Sequence, residues 1–198
     1  MARVAKAFRI SRRSAAGCRC WILPSPRRSQ RIARIASRRA PARLREQRAG
    51  YRAALPGPVY CDASALVKIY LPEPGSDELN MTVEGRDDLL ASDLAVTEVV
   101  SALSRRLRQQ SLTREVALRV QHTIVEGLDD GTYRRVELTH DVHRRAEHFL
   151  LSLTETQLRA ADALHLALAT GARAWSMASF DARLGAAARA VGLAVYPA

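Results

Sequence analysis

Residues 59–70 read VYCDASALVKIY. An apolar run ends on a carboxylate, and the apolar spacing then becomes helical. The pattern predicts a strand over Val59–Asp62 and a helix over Ser64–Leu71, stopped by Pro72 and Pro74. Similar units follow. Leu89–Ser92 reads as a strand, and Ser92 or Asp93 caps a helix running to about Gln110, with Leu94, Val99, Val100, Leu103 and Leu107 on one face. Thr113 caps a helix that turns Val116, Val120 and Ile124 inward, and Gly131 punctuates it. Tyr133–Leu138 reads as a strand and Asp141–Leu151 as a helix. Ala160–Ala169 is a compact apolar helix that stops at Gly171. Ala174–Ala178 is a strand, Asp181–Val191 a helix halted by Gly192, and Leu193–Tyr196 a last strand. Short strands alternating with helices argue for an α/β fold with a parallel sheet covered on both faces. In such sheets, sites form beyond the carboxyl ends of the strands.

Four acids fall at or near those ends. They are Asp62, Glu98 in LLASDLAVTEVVSAL (89–103), Asp162 in LRAADALHLALA (158–169) and Asp181 in WSMASFDARLGAAA (175–188). Acidic side chains in apolar surroundings are rarely buried unless paired or holding a metal. Taken singly, each has a structural explanation. Asp62 fits a turn after a strand, Asp162 and Asp181 suit helix N-termini, and Glu98 can pair with Arg105. Taken together, they predict one carboxylate cluster with a divalent cation. His165, one turn beyond Asp162, reads as a packed core histidine.

The charge is unevenly spread. The chain of 198 residues carries a net +11, but residues 1–57 hold 16 Lys/Arg against one acid, Glu46, while residues 58–198 hold 15 Lys/Arg against 19 acids. Leu55-Pro56-Gly57-Pro58 reads as the boundary between a basic, disordered arm (1–57) and a domain (58–198). Such an arm suits nucleic acid or an anionic surface. Its composition also fits a transit peptide. Val59 can be a GTG start codon, so the protein is expected to begin near it, with residues 1–57 mostly a mis-called reading frame and, failing that, the basic disordered arm. Cys18, Cys20 and Cys61 make no disulfide framework and no zinc set, and they fit a reducing cytoplasm. No apolar stretch approaches the ~20 residues of a membrane span.

The motifs VYCDASALVKIYLPEPGS, SDLAVTEVVSALSRR, LRAADALHLALA and SFDARLGAAARAVGL, in that order, resemble those of PIN-domain ribonucleases, and most nearly the VapC-type toxins of bacterial toxin–antitoxin pairs. The resemblance spans about residues 58–198 and omits the arm. It implies a three-layer α/β/α sandwich and a Mg²⁺- or Mn²⁺-dependent endoribonuclease acting on RNA. Asp62, Glu98, Asp162 and Asp181 match the family's four acidic positions; of these, Asp62 and Asp162, at rigid strand-end and helix-start positions, are the expected direct metal ligands. Ser64 and Ser179 match the hydroxyl residues that bond carboxylates or phosphate. The implied partners are a VapB-like antitoxin and a second copy in a homodimer. A haloacid dehalogenase-type phosphatase would need an Asp where Ser64 stands, and no Gly-rich phosphate loop is present. The competing reading is a non-catalytic RNA-binding or assembly module of the same shape that works through its basic arm.

Overall fold

The computed structural model describes residues 55–198; the expectations for residues 1–54 lie outside the described residues. Five short strands form one parallel sheet in the order β3-β2-β1-β4-β5. They are β1 (Val59–Cys61), β2 (Leu89–Ser92), β3 (Arg134–Val136), β4 (Ser176–Ala178) and β5 (Ala194–Tyr196). Among the described residues the helices are α1 (Ala63–Tyr70), α2 (Ser76–Val83), α3 (Asp93–Arg108), α4 (Arg114–Asp129), α5 (His140–Ser152), α6 (Ala160–Gly171) and α7 (Ala182–Ala190). A single 3₁₀ turn, Thr154–Thr156, joins α5 to α6.

Strand alternation makes the three layers. Val59 and Cys61 of β1, with Leu89 and Ala91 of β2, pack against α1 to α4. Tyr60 and Leu90, between them in sequence, point the other way, onto α5, α6 and α7. The sheet is therefore apolar on both faces, as parallel sheets require. The register sets Tyr60 opposite Leu90 on one side and Met177 on the other. The edge strand β3 is blunted by charge. Arg134 and Arg135 are exposed, and Arg135 bridges Asp93 at 3.0 Å and Asp129 at 2.7 Å.

Helix boundaries follow local chemistry. Ser92 caps α3 by accepting from the Ala95 amide, and Thr113 caps α4 through the Val116 amide. After α7 the chain turns at Gly192, where φ is +87° and a side chain would be strained. One expected core position differs. Val99 and Leu103 are buried, but Val100 is 38 % exposed, because α3 buries its Ala95/Val96/Val99/Leu103 stripe and Val100 lies on its outer edge. Leu55, ahead of the expected boundary, packs into the core, and its carbonyl accepts from Arg86 at 2.8 Å. Among the described residues, no helix is long and apolar enough to cross a membrane.

Candidate active site

Four acids meet in one cavity of about 460 Å³ beyond the carboxyl ends of the strands. Asp62 follows β1, Glu98 lies on the second turn of α3, and Asp181 follows β4. Asp162 arrives from the opposite direction. Helix α6 runs antiparallel to the strands, so its first turn reaches the rim where they end. Lys68, Glu73, Arg105, Arg106, Arg159, His165 and Arg183 share the lining.

Asp62 is the most enclosed of the four, at 4 % exposure. Its backbone extends the sheet, with its amide donating to the Ala178 carbonyl at 3.2 Å. Its carboxylate caps α1 through the Ala65 amide at 2.8 Å. Ser64 Oγ donates to it at 2.7 Å, and Ser179 Oγ at 2.6 Å. Ser64 also accepts from the Phe180 amide at 2.7 Å, which ties the first motif to the last. Ser179 stands behind Asp62, and its backbone amide is anchored on the Tyr196 carbonyl. Both serines thus bond the carboxylate. Burial pushes the Asp62 carboxyl above its ordinary range, and the bonds from Ser179, Ala65 and Ser64 only partly offset this.

The other acids each use one oxygen locally. Asp162 Oδ2 accepts the Arg159 amide at 3.0 Å at the start of α6. Asp181 Oδ1 caps α7, accepting from Arg183 and Leu184 at 2.8 and 3.2 Å. Glu98 Oε2 bonds His165 Nε2 at 2.7 Å. Asp162 and Asp181 thus hold the helix N-terminal positions read for them singly, while Asp62, read as a turn residue, caps α1. Glu98 pairs with His165 and not with Arg105. The Arg183 guanidinium lies 3.9 Å from Asp162 and 3.6 Å from Asp181.

The sequence reading placed His165 in the core, and it is buried at 2 % exposure. It missed that both ring nitrogens are bonded, one of them to Glu98. The available signal was its i, i+3 spacing from Asp162. The basic rim was also missed, although Arg159 and Arg183 flank Asp162 and Asp181 within three residues.

The donor chemistry fits a hard divalent cation. Asp62 offers about four lone-pair directions, and its three hydrogen-bond donors leave about one. Asp162 and Glu98 each retain an oxygen for which no donor is found among the described residues. Among those residues, no group of three or more His, Cys, Asp and Glu side chains is close enough together to hold a metal ion. An open set of carboxylates suits Mg²⁺ or Mn²⁺, which take oxygen ligands and keep several waters.

The PIN domain family model matches residues 59–190. Ribonuclease VapC45 and Ribonuclease VapC49, from two strains of Mycobacterium tuberculosis, are each 40 % identical to this chain over 142 residues, covering 71 % of it and 95 % of the relative. Among solved structures, the crystal structure of M. tuberculosis VapC20, described as a sarcin-ricin loop cleaving toxin, superposes with a TM-score of 0.54 at 16 % identity. That match covers 66 % of this chain and 95 % of the other.

Proposed function

The chain belongs to the PIN-domain family, and from that premise we propose that it is a divalent-metal-dependent endoribonuclease, the toxin of a toxin–antitoxin pair. The observation that carries the proposal is the convergence of Asp62, Glu98, Asp162 and Asp181 on one rim cavity edged by Lys68, Arg105, Arg106, Arg159 and Arg183. An acidic floor under a basic rim is a workable surface for a polyanion that must be cut. The rim attracts the phosphate backbone, and the floor demands a cation between itself and the phosphate.

Asp62 and Asp162 would hold Mg²⁺ or Mn²⁺, which supplies charge for the scissile phosphate and a more acidic bound water. Glu98, with the longer arm, would either join them as a ligand or orient a water by accepting a hydrogen bond. Asp181, more exposed and facing Arg183, works at the edge of the cluster. Ser64 and Ser179 fix the Asp62 carboxylate, so that its remaining lone pair has a set direction. Arg105 and Arg159 are the rim groups best placed to meet flanking phosphates.

As partners we propose RNA, a second copy in a homodimer and a small VapB-like antitoxin. A Lys or Arg from the antitoxin would neutralise the carboxylates and block the cleft. The cell compartment proposed is the cytoplasm.

The decisive experiment is cleavage of total cellular RNA by the purified chain with Mg²⁺, Mn²⁺ or EDTA. Asp62→Asn, Glu98→Gln and Asp162→Asn should each abolish cutting, and Asp181→Asn should weaken it less. Wild-type rates in the Asp62 and Asp162 variants would overturn the assignment. RNA binding without any cutting would favour the non-catalytic module.

A further inference from the structure

A buried row of hydrogen bonds runs from the start of α3 across the sheet and back to Glu98. The Ala95 amide donates to Ser92 Oγ at 3.2 Å. Ser92 Oγ lies 2.8 Å from Tyr60 Oη. Tyr60 Oη lies 2.8 Å from His165 Nδ1, and His165 Nε2 lies 2.7 Å from Glu98 Oε2. Ser92, Tyr60 and His165 are each at most 2 % exposed. The row begins and ends on one helix, because Ser92 caps α3 and Glu98 lies on it.

Counting hydrogens fixes the direction of the row. An amide N–H only donates, and an ionised carboxylate only accepts. If Ser92 donates to Tyr60 and Tyr60 donates to Nδ1, every buried hydrogen has an acceptor. The imidazole then carries its one proton on Nε2, aimed at Glu98. If Nδ1 instead donates to Tyr60, the Tyr60 hydrogen must go to Ser92. The Ser92 hydrogen is then left buried with no acceptor in the row, an arrangement native interiors avoid.

We propose that His165 is a positioning residue of the catalytic site: Tyr60 fixes its ring and tautomer, and its Nε2–H holds one Glu98 oxygen so that the other is presented to the cleft. The inference rests on reading the cleft as the metal-dependent ribonuclease site. The arrangement does for Glu98 what hydrogen-bonded neighbours do for metal ligands elsewhere, where losing such a neighbour costs about 10- to 100-fold in metal affinity or activity. It also explains why a histidine occupies an otherwise aliphatic stretch, ALHLALA.

The test uses the full chain, ¹⁵N-labelled, with Mn²⁺ as the probe. Long-range ¹H–¹⁵N correlation of the imidazoles should show His165 protonated on Nε2 alone. Titration with Mn²⁺, followed through the free ion's paramagnetic resonance signal, should show binding about 10- to 100-fold weaker in His165→Leu. Melting will show whether that variant is folded. His165→Gln, which keeps an N–H directed at Glu98, should recover part of the loss. If His165→Leu does not fold, Tyr60→Phe carries the test: it keeps the aromatic packing and should weaken Mn²⁺ binding by a smaller factor. Protonation on Nδ1, or unchanged Mn²⁺ affinity in the folded variants, overturns the inference and leaves the ribonuclease reading standing. A wild-type chain that binds no Mn²⁺ overturns both.

Discussion

Asp62→Asn separates the cost of the buried charge from the gain it makes possible. The substitution keeps shape. The asparagine oxygen can still accept from the Ala65 amide and Ser64, as Asp62 Oδ1 does at 2.8 and 2.7 Å. The new amide nitrogen faces Ser179 Oγ and reverses that bond. Ser179 Oγ already accepts from the Asp181 amide at 3.2 Å, so its own hydrogen loses its acceptor. That loss costs about 1–3 kcal/mol. Against it stands relief of burying a carboxylate. The folded-state pKa of Asp62 is raised above its ordinary 3.8, so above that pH the unfolded chain gives up a proton that the folded chain retains. The folded state is therefore penalised as pH rises from about 3.8 through the raised value, and the variant escapes the penalty. Without metal the two terms oppose, and the melting temperatures should lie close together at neutral pH. With Mn²⁺ at a hundredfold excess over Kd the wild type gains about 2.7 kcal/mol. At roughly 4 °C per kcal/mol for a domain of this size, that is a rise of about 10 °C. The variant should gain almost none. Calorimetric melts with EDTA and with Mn²⁺ measure this, and an equal Mn²⁺-induced rise in both proteins would refute the reasoning.

Glu73 accepts from Arg106 and, at 3.1 Å, from Lys68 at the cavity rim, and these partners hold its carboxyl below the usual range despite burial. Its stabilisation is present above the unfolded pKa and is lost as pH falls through the lowered one. Glu73→Gln should cost about 1 kcal/mol at pH 7 and progressively less as the pH falls below the unfolded value, read by urea unfolding. Ser92→Ala removes the cap of α3 and should cost about 1–2 kcal/mol by the same assay, while the Tyr60 hydroxyl still donates to His165. A chain lacking residues 1–58 loses buried Leu55 and should be about 1.5–3 kcal/mol less stable than one lacking only residues 1–54. If the basic arm contributes to RNA binding, removing 1–54 weakens it and flattens its salt dependence, measured by filter binding at two ionic strengths.

The layering was readable because strand and helix signals are local. β1 and β2 are short apolar runs closed by Asp62 and Ser92, and those two residues are also the caps that turn the chain into α1 and α3. The four acids were readable for the same reason, since each sits at a strand end or in the opening turns of a helix. What could not be read depends on pairings across the sheet. Tyr60, Ser92, Glu98 and His165 lie up to 105 positions apart, and only the β1–β2 register and the packing of α6 on the opposite face bring them together. Val100 failed for a related reason. Helical spacing gives a face, but its width depends on which neighbour covers it.

The structural and functional readings of the acids describe the same residues rather than rival ones. Asp62 and Asp181 cap α1 and α7, and Asp162 closes the first turn of α6, so three helix N-termini point their positive ends into the cleft. Those termini offset part of the mutual repulsion that a metal-free carboxylate cluster would otherwise suffer. Each cap engages only one oxygen of its carboxylate. Glu98 lies on the second turn of its helix, beyond the reach of the terminal amides, and it is the acid that carries a buried histidine instead. The fold therefore supplies every acid with a fixed donor of its own. The cation is left to neutralise the oxygens that remain.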